Sequence, residues 1–319
     1  MNSSISLGAC LWSQASDWPA FLAAARRADE LGFDHIWTWD HLLPIFGDTD
    51  QPIWEGYVAL GALGVATSCA KLGLLVGANT FRNPGVVARS VLTLDHVSGG
   101  RAIMGLGGAW FETEHTAFGL DFGSGFGERL DWLAEAVPAI RELLDGRTVT
   151  SSPGGTYAFS DLRFLPPTVQ PRLPIMIGGS GPRKTLPIVA RYADMWNAFG
   201  SPEELRQRDE LLRTLCAEVG RDPEAIERTV GCKITIRPTQ AEAERVLDGL
   251  LATNHLTRAD IADDDTFWTG TPERIASIMT DYARVGFRTF ICELPAPYDA
   301  ETLEALAGVV KPMVETALG

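Results

Sequence analysis

A (β/α)8 TIM barrel with insertions is the fold class this sequence predicts, and three observations predict it. Short apolar runs of β character alternate with helical patterns from one end to the other; eight such pairs fit within the 319 residues; and neither a low-complexity linker nor a longer fixed-period repeat interrupts the rhythm. An open Rossmann-type sheet with a second domain is the other arrangement compatible with that alternation. As one domain over residues 1–319, the chain carries insertions at about 108–173 and 254–270.

The elements follow in order. "ISLGACLW" reads as the first strand, and "WPAFLAAARRADELGF" as its helix, with Phe21, Leu22, Ala25, Ala28 and Leu31 near helical spacing and Gly32 as the stop. "DHIWTWDH" is the second strand, followed by a helix from about Glu55. "KLGLLVGANT" is the third; Pro84 opens its helix and Gly99-Gly100 closes it. "RAIMGLGG" is the fourth, after which the first insertion holds one helix ("GERLDWLAEAVPAIRELLDG") and a hairpin around Pro153, Gly154 and Gly155. "LPIMIGGSG" and "DMWNAFG" are the fifth and sixth strands. Ser201 caps the following helix, with Pro202 at its first position. "VGCKITIRP" and "RTFICELP" complete the eight, separated by a helix, the acidic "ADDD" and an extra helix from "GTPERIA".

Charge narrows the partners. Lys and Arg total 27 against 41 Asp and Glu, a formal charge of -14, which repels nucleic acid and anionic membrane surfaces. The partner expected is therefore a small-molecule substrate. The five cysteines (Cys10, Cys69, Cys216, Cys232, Cys292) are scattered without a CxxC pair and read as buried thiols in a reducing compartment. "MNSSISLGACLWS" shows neither a basic leader nor a long apolar core, so the expectation is a soluble cytoplasmic protein.

In such a barrel, chemistry belongs at the carboxyl ends of the strands. Asp40 and His41 stand where the Trp-rich second strand leaves the core; His41 fits either a solvated, hydrogen-bonded loop histidine or a functional group, and the adjacent Asp40 and the strand-end location favour function. In "IGGSG", Gly178, Gly179, Ser180 and Gly181 run toward a helix starting near Pro182 or Arg183. They fit either a phosphate cradle assisted by Arg183 and Lys184 or a tight turn that needs glycine for steric reasons alone. "GLGGAW" lacks the full GxGxxG spacing, but small residues there let a flat ring approach the backbone. Trp12, Trp110 and Phe111 are candidates for an apolar substrate pocket. Glu112, Glu114 and His115 match no familiar zinc spacing and read as a solvated helical turn; no metal site is assigned.

The joint pattern of "WTWDHLLP", "GLLVGANTFRNPGVVARSVLTLDHVSGGRAIMGLGGAWFETEHTAFG", "IGGSGPRKTLPIVARYADMWNAFG" and "GTPERIASIMTDYARVGF" resembles the luciferase-like monooxygenase superfamily, over essentially the whole chain. Within it, the pattern resembles the branch of coenzyme F420-dependent oxidoreductases. The resemblance implies a bacterial luciferase-like barrel holding a flavin-like ring near Asp40 and His41, with His41 as the proton-transfer residue and Asp40 in contact with the ring. It implies a bulge in the third strand with a non-proline cis peptide between Leu75 and Val76. It places Leu75, Val76, Ala78, Asn79, Gly107 and Gly108 around the cofactor, and Gly178, Gly179, Ser180, Gly181 and Arg183 at its phosphate. Relatives often form homodimers through the second and third helices. One departure stands out: Trp110 occupies the position of the catalytic glutamate in the sugar-phosphate dehydrogenases, so that acid-base pair is incomplete here.

The expected activity is hydride transfer between F420 and a small organic substrate, with His41 exchanging the proton and Asp40 orienting it. An FMN-dependent monooxygenase using O2 is the first alternative and a non-catalytic flavin-binding protein the second. A metal-dependent hydrolase built on Asp40 and His41 lacks further ligands.

Overall fold

The apolar runs become parallel strands whose side chains alternate between the inside of a closed ring and a surrounding layer of helices. A computed structural model describes residues 4–151 and 153–319. Its strands are β1 (Ser6–Leu11), β2 (His35–Thr38), β3 (Lys71–Leu74), β4 (Gly77–Ala78), β5 (Ala102–Gly107), β6 (Ile175–Gly178), β7 (Met195–Ala198), β8 (Glu227–Ile236), β9 (Phe267–Gly270) and β10 (Thr289–Leu294). All pair in parallel, in the order β1, β2, β3 with β4, β5, β6, β7, β8, β10, and β10 closes the ring by pairing with both β8 and β1. This is the eight-stave barrel expected.

The helices are α1 (Trp18–Glu30), α2 (Gly56–Ala66), α3 (Pro84–Val97), α4 (Glu112–Phe118), α5 (Phe126–Leu144), α6 (Thr185–Tyr192), α7 (Pro202–Glu218), α8 (Gln240–Thr253), α9 (Pro272–Arg284), α10 (Ala300–Ala305) and α11 (Lys311–Leu318). Their starts follow the local chemistry. Ser201 and Glu204 form a complete capping box at α7, and Asp17, Glu55, Asn83 and Thr271 each cap a helix with a side-chain oxygen. Among the described residues no helix is long and apolar enough to cross a membrane.

The two-residue period of the strands sorts the core. Cys10, Trp37, Ile103, Met176, Met195 and Ile291 fill the ring, while Leu7, Ile36, Leu72, Leu106, Ile177 and Val230 face the helices. Trp37, the largest interior side chain, needs glycine neighbours: a Cβ on Gly73 would lie 2.5 Å from its ring, and one on Gly8 would lie 2.7 Å from its Nε1.

Several expectations need correction. The first insertion holds two helices, α4 and α5, not one, because "ETEHTAF" winds a short helix ended by Gly119 in the left-handed region (φ 65°). The hairpin there is a single antiparallel bridge, Val149 with Leu162, plus the Ser151 N–H to Phe159 carbonyl bond; Ser152 lies outside the described residues. The second insertion contributes the strand β9, paired to the far half of β8, ahead of the helix from "GTPERIA". Cys69 is exposed rather than buried; Cys10, Cys216, Cys232 and Cys292 are buried free thiols.

Candidate active site

The carboxyl-end layer of the ring shows what the strands present there. Along the inward positions stand Trp12, Trp39, Gly107, Gly178, Asn197, Lys233 and Glu293, and all but Trp12 line one cavity of about 360 Å³. Between β3 and β4 the chain bulges at Leu75 and Val76, joined by a cis peptide bond, and both side chains reach the cavity. The glycines opposite are matched to that bulge. A Cβ on Gly107 or Gly178 would come within 2.7 or 2.9 Å of the Val76 side chain. Gly105, one inward position deeper, has no room at all, since its Cβ would lie 1.9 Å from the Leu74 carbonyl oxygen.

His41 follows β2 and lines the cavity with its side chain 15% exposed. Its Nδ1 lies 3.0 Å from Glu114 Oε1, and the same carboxylate accepts the Leu42 N–H at 2.8 Å. A carboxylate at Nδ1 holds the proton on that nitrogen and leaves Nε2 as the one available to a ligand. Trp39, Trp110 and Phe111 surround the imidazole edge-on, at centroid distances of 5.8, 5.7 and 6.1 Å. Glu114 is therefore no part of a solvated turn: it is 2% exposed, and His115 beside it is fully buried, with Nδ1 donating to the Phe111 carbonyl and Nε2 paired with the Thr80 hydroxyl.

Asp40 also lines the cavity, but its carboxylate is engaged away from His41. Its two oxygens take both ends of the Arg82 guanidinium at 2.8 and 2.9 Å, and Oδ2 also accepts the Ala78 N–H at 2.9 Å. Arg82 pairs in addition with Glu55, the cap of α2. Burial raises the Asp40 carboxyl above its ordinary value, with the Arg82 charge as the main opposing influence. Burial works against the Arg82 cation too, but Asp40 and Glu55 outweigh it and hold the guanidinium more firmly protonated. The hydrogen bonds of Asp40 thus fasten the β4 backbone, and the group that orients His41 is Glu114.

Of the other predicted positions, Ala78, Gly108 and Trp110 line the cavity, and Phe111 packs against Trp110. Asn79 is buried and donates its Nδ2 to the Tyr157 hydroxyl. Trp12 packs at a tilt against Trp39, at 4.4 Å between centroids, and lines a small neighbouring pocket. Gly179 lies at the cavity edge with φ 109°, its N–H donating to the Asn197 carbonyl. Ser180, Gly181 and Arg183 continue past the cavity toward α6, which begins at Thr185, two to three residues later than expected; Lys184 is held by Asp131 and the Gly127 carbonyl. Glu293 and Lys233 also line this cavity, and neither is among the site residues expected from the sequence.

Comparison with known proteins agrees with this architecture. The model of the family described as "Luciferase-like monooxygenase" matches residues 3–289. An uncharacterized protein of Mycobacterium tuberculosis (strain ATCC 25618 / H37Rv) is 30% identical over 222 residues, 63% of this chain and 74% of that one. An F420-dependent glucose-6-phosphate dehydrogenase of Microbacterium testaceum (strain StLB037) is 31% identical over 215 residues, 66% and 62% respectively. The solved structure of an F420-dependent secondary alcohol dehydrogenase with an F420-acetone adduct superposes with a TM-score of 0.82 at 22% identity, covering 98% of this chain and 99% of that one. A parallel barrel with a bulged third stave and a polar rim, matched over nine-tenths of its length by one family model, places this chain in the luciferase-like monooxygenase family.

Proposed function

We propose that this protein is a coenzyme F420-dependent oxidoreductase in which a hydride passes between the deazaflavin and a small organic substrate while His41 gives or takes the accompanying proton. The observation that carries the reading is the His41–Glu114 pair opening onto a cavity walled by Val76 and backed by glycines. F420-dependent relatives at 30–32% identity favour this cofactor over FMN.

The residues fit the group. At about 360 Å³ the cavity matches a flat tricycle but not the whole coenzyme. Leu75, Val76, Ala78, Gly107 and Gly108 would hold the ring, and the tail would leave over the exposed Gly179 turn. There an anion would be met by the amides of Ser180, Gly181 and Arg183, since that of Gly179 is taken by Asn197. The deazaflavin supplies two-electron hydride chemistry without activating oxygen. Glu114 fixes the tautomer of His41, and Trp39, Trp110 and Phe111 shield its ring from water.

We further infer a homodimer through α2 and α3. Val58, Val86 and Val97 stand exposed on these two helices around a shallow groove, with Val65 exposed on α2 as well, a surface that a second copy would cover. Sedimentation of wild type against Val58→Glu/Val86→Glu tests this; a monomeric wild type overturns it.

For the activity, fluorescence titration with F420 and FMN, followed by anaerobic turnover of reduced F420 with ketones, gives the test. Tight F420 binding with oxygen-independent turnover is expected. Preferential FMN binding with oxygen uptake would replace this reading with the monooxygenase, and binding without turnover would leave a carrier.

A further inference from the structure

One arc of the rim is polar, and the function proposed above leaves it unused. Asn197, Lys233 and Glu293 stand on the neighbouring staves β7, β8 and β10, and all three line the cavity. On the opposite arc the corresponding inward positions are Trp39, Gly107 and Gly178. The contrast is chemical as well as spatial: one side accepts a flat apolar face, and the other offers hydrogen-bond donors and acceptors.

Glu293 is the centre of this arc. It is only 5% exposed, in a ring whose interior packs Cys10, Trp37, Ile103, Met176, Met195 and Ile291. Trp12 donates its indole N–H to Oε2 at 3.0 Å. Burial pushes the carboxyl up, with Lys233 and the indoles of Trp12 and Trp39 pulling the other way. Lys233 is its partner in strand register, but its ammonium leans outward to the Thr266 hydroxyl at 3.1 Å and Asp264 at 3.4 Å. Asn197 donates Nδ2 to Thr229 at 3.0 Å, which leaves its amide oxygen as the acceptor available to a ligand. A buried carboxyl at a cavity wall is costly for packing and favourable only when something polar meets it.

We propose that Glu293 is a substrate-specificity residue that binds a hydroxyl group of the substrate other than the oxygen served by His41. The Trp39 ring, in contact with both residues, sets the spacing. His41 packs edge-on against the Trp39 ring at 5.8 Å between centroids, and Glu293 is met by the indoles of both Trp39 and Trp12. The two oxygen functions are therefore separated by a carbon frame rather than placed on adjacent carbons. An anion would face Glu293 and Glu114, and a cation would compete with Lys233. The substrate class is a small uncharged molecule with two separated oxygen groups. This inference rests on the oxidoreductase reading for the reacting group but not for binding at Glu293.

The test compares 4-hydroxycyclohexanone with cyclohexanone as oxidants of reduced F420, using wild type, Glu293→Gln and Glu293→Leu, with circular dichroism confirming the fold of each. Wild type should favour the hydroxylated ketone in kcat/KM by about tenfold, Glu293→Gln should keep most of that preference, and Glu293→Leu should lose it. No preference in wild type, or the same preference in Glu293→Leu, overturns the proposal. Should F420 bind while neither ketone is reduced, the oxidoreductase reading fails and calorimetry decides on Glu293. Stronger binding of 1,4-cyclohexanediol than of cyclohexanol, lost in Glu293→Leu, sustains it; equal binding or none overturns it.

Discussion

Glu114 and His41 are 73 residues apart in sequence and 3.0 Å apart in space, and the carboxylate that aligns the imidazole also accepts the N–H of the residue after it. A single buried side chain thus fixes both a ring and the loop that carries the ring. Replacing it should disturb both.

Glu114→Ala should lower kcat by about tenfold or more through loss of His41 alignment, with F420 affinity little changed. It should also lower stability by about 1–3 kcal/mol, because the Leu42 N–H loses its acceptor. Glu114→Gln should recover most of the stability and part of the rate. Urea denaturation and single-turnover kinetics on the same samples check this, and a Glu114→Ala enzyme with wild-type kcat would remove the pair from the reaction.

Arg82→Met should be among the most destabilising single changes at the site, by about 3–5 kcal/mol, since it leaves Asp40 as a buried carboxylate with no cation beside it. The double change Arg82→Met/Asp40→Asn should recover much of that loss. A double-mutant cycle in urea measures the coupling, and additive losses would contradict it.

Glu293 predicts a pH dependence of stability. Its carboxyl is raised by burial above the ordinary value of 4.5, so the folded state keeps a proton that the unfolded chain releases. The stability this group contributes is complete below about pH 4.5 and declines as pH rises through its folded value, by up to about 1.4 kcal/mol per unit. Glu293→Gln lacks this dependence, so its stability relative to wild type should improve between pH 4.5 and 7. Parallel urea titrations at the two pH values give the comparison; a relative stability that does not change with pH would show that the carboxyl titrates alike in both states.

Gly179 combines two constraints. At φ 109° any side chain is strained, so Gly179→Ala should cost about 1–2 kcal/mol. Gly179→Asp should add repulsion of an anionic tail and weaken F420 binding by tenfold or more beyond the alanine variant, as read by fluorescence titration. Equal affinities for the two variants would move the phosphate away from this turn.

Much of this was legible in the chain. Buried parallel strands leave continuous apolar runs, caps such as Ser201 and Glu55 are local, and the Asp40-His41 pair is visible because it interrupts a Trp-rich strand. What escaped depended on distant packing. "ETEHTAF" has the polarity of a surface helix, and only its position across the barrel mouth buries Glu114 and His115. The guanidinium that claims Asp40 comes from the loop before α3, and β9 forms only because the far half of β8 offers an edge. Lys233 and Glu293 had a usable signal that went unread: each is a charge at an inward position near the carboxyl end of a barrel strand.

The division of the rim between neighbouring staves has an evolutionary reading. β5 and β6 would grip the coenzyme, whereas β7, β8 and β10 would read whatever it reacts with. Because these duties fall on separate, contiguous segments, substitutions at Asn197, Lys233 or Glu293 can diversify what is oxidised or reduced while the redox partner is inherited unchanged.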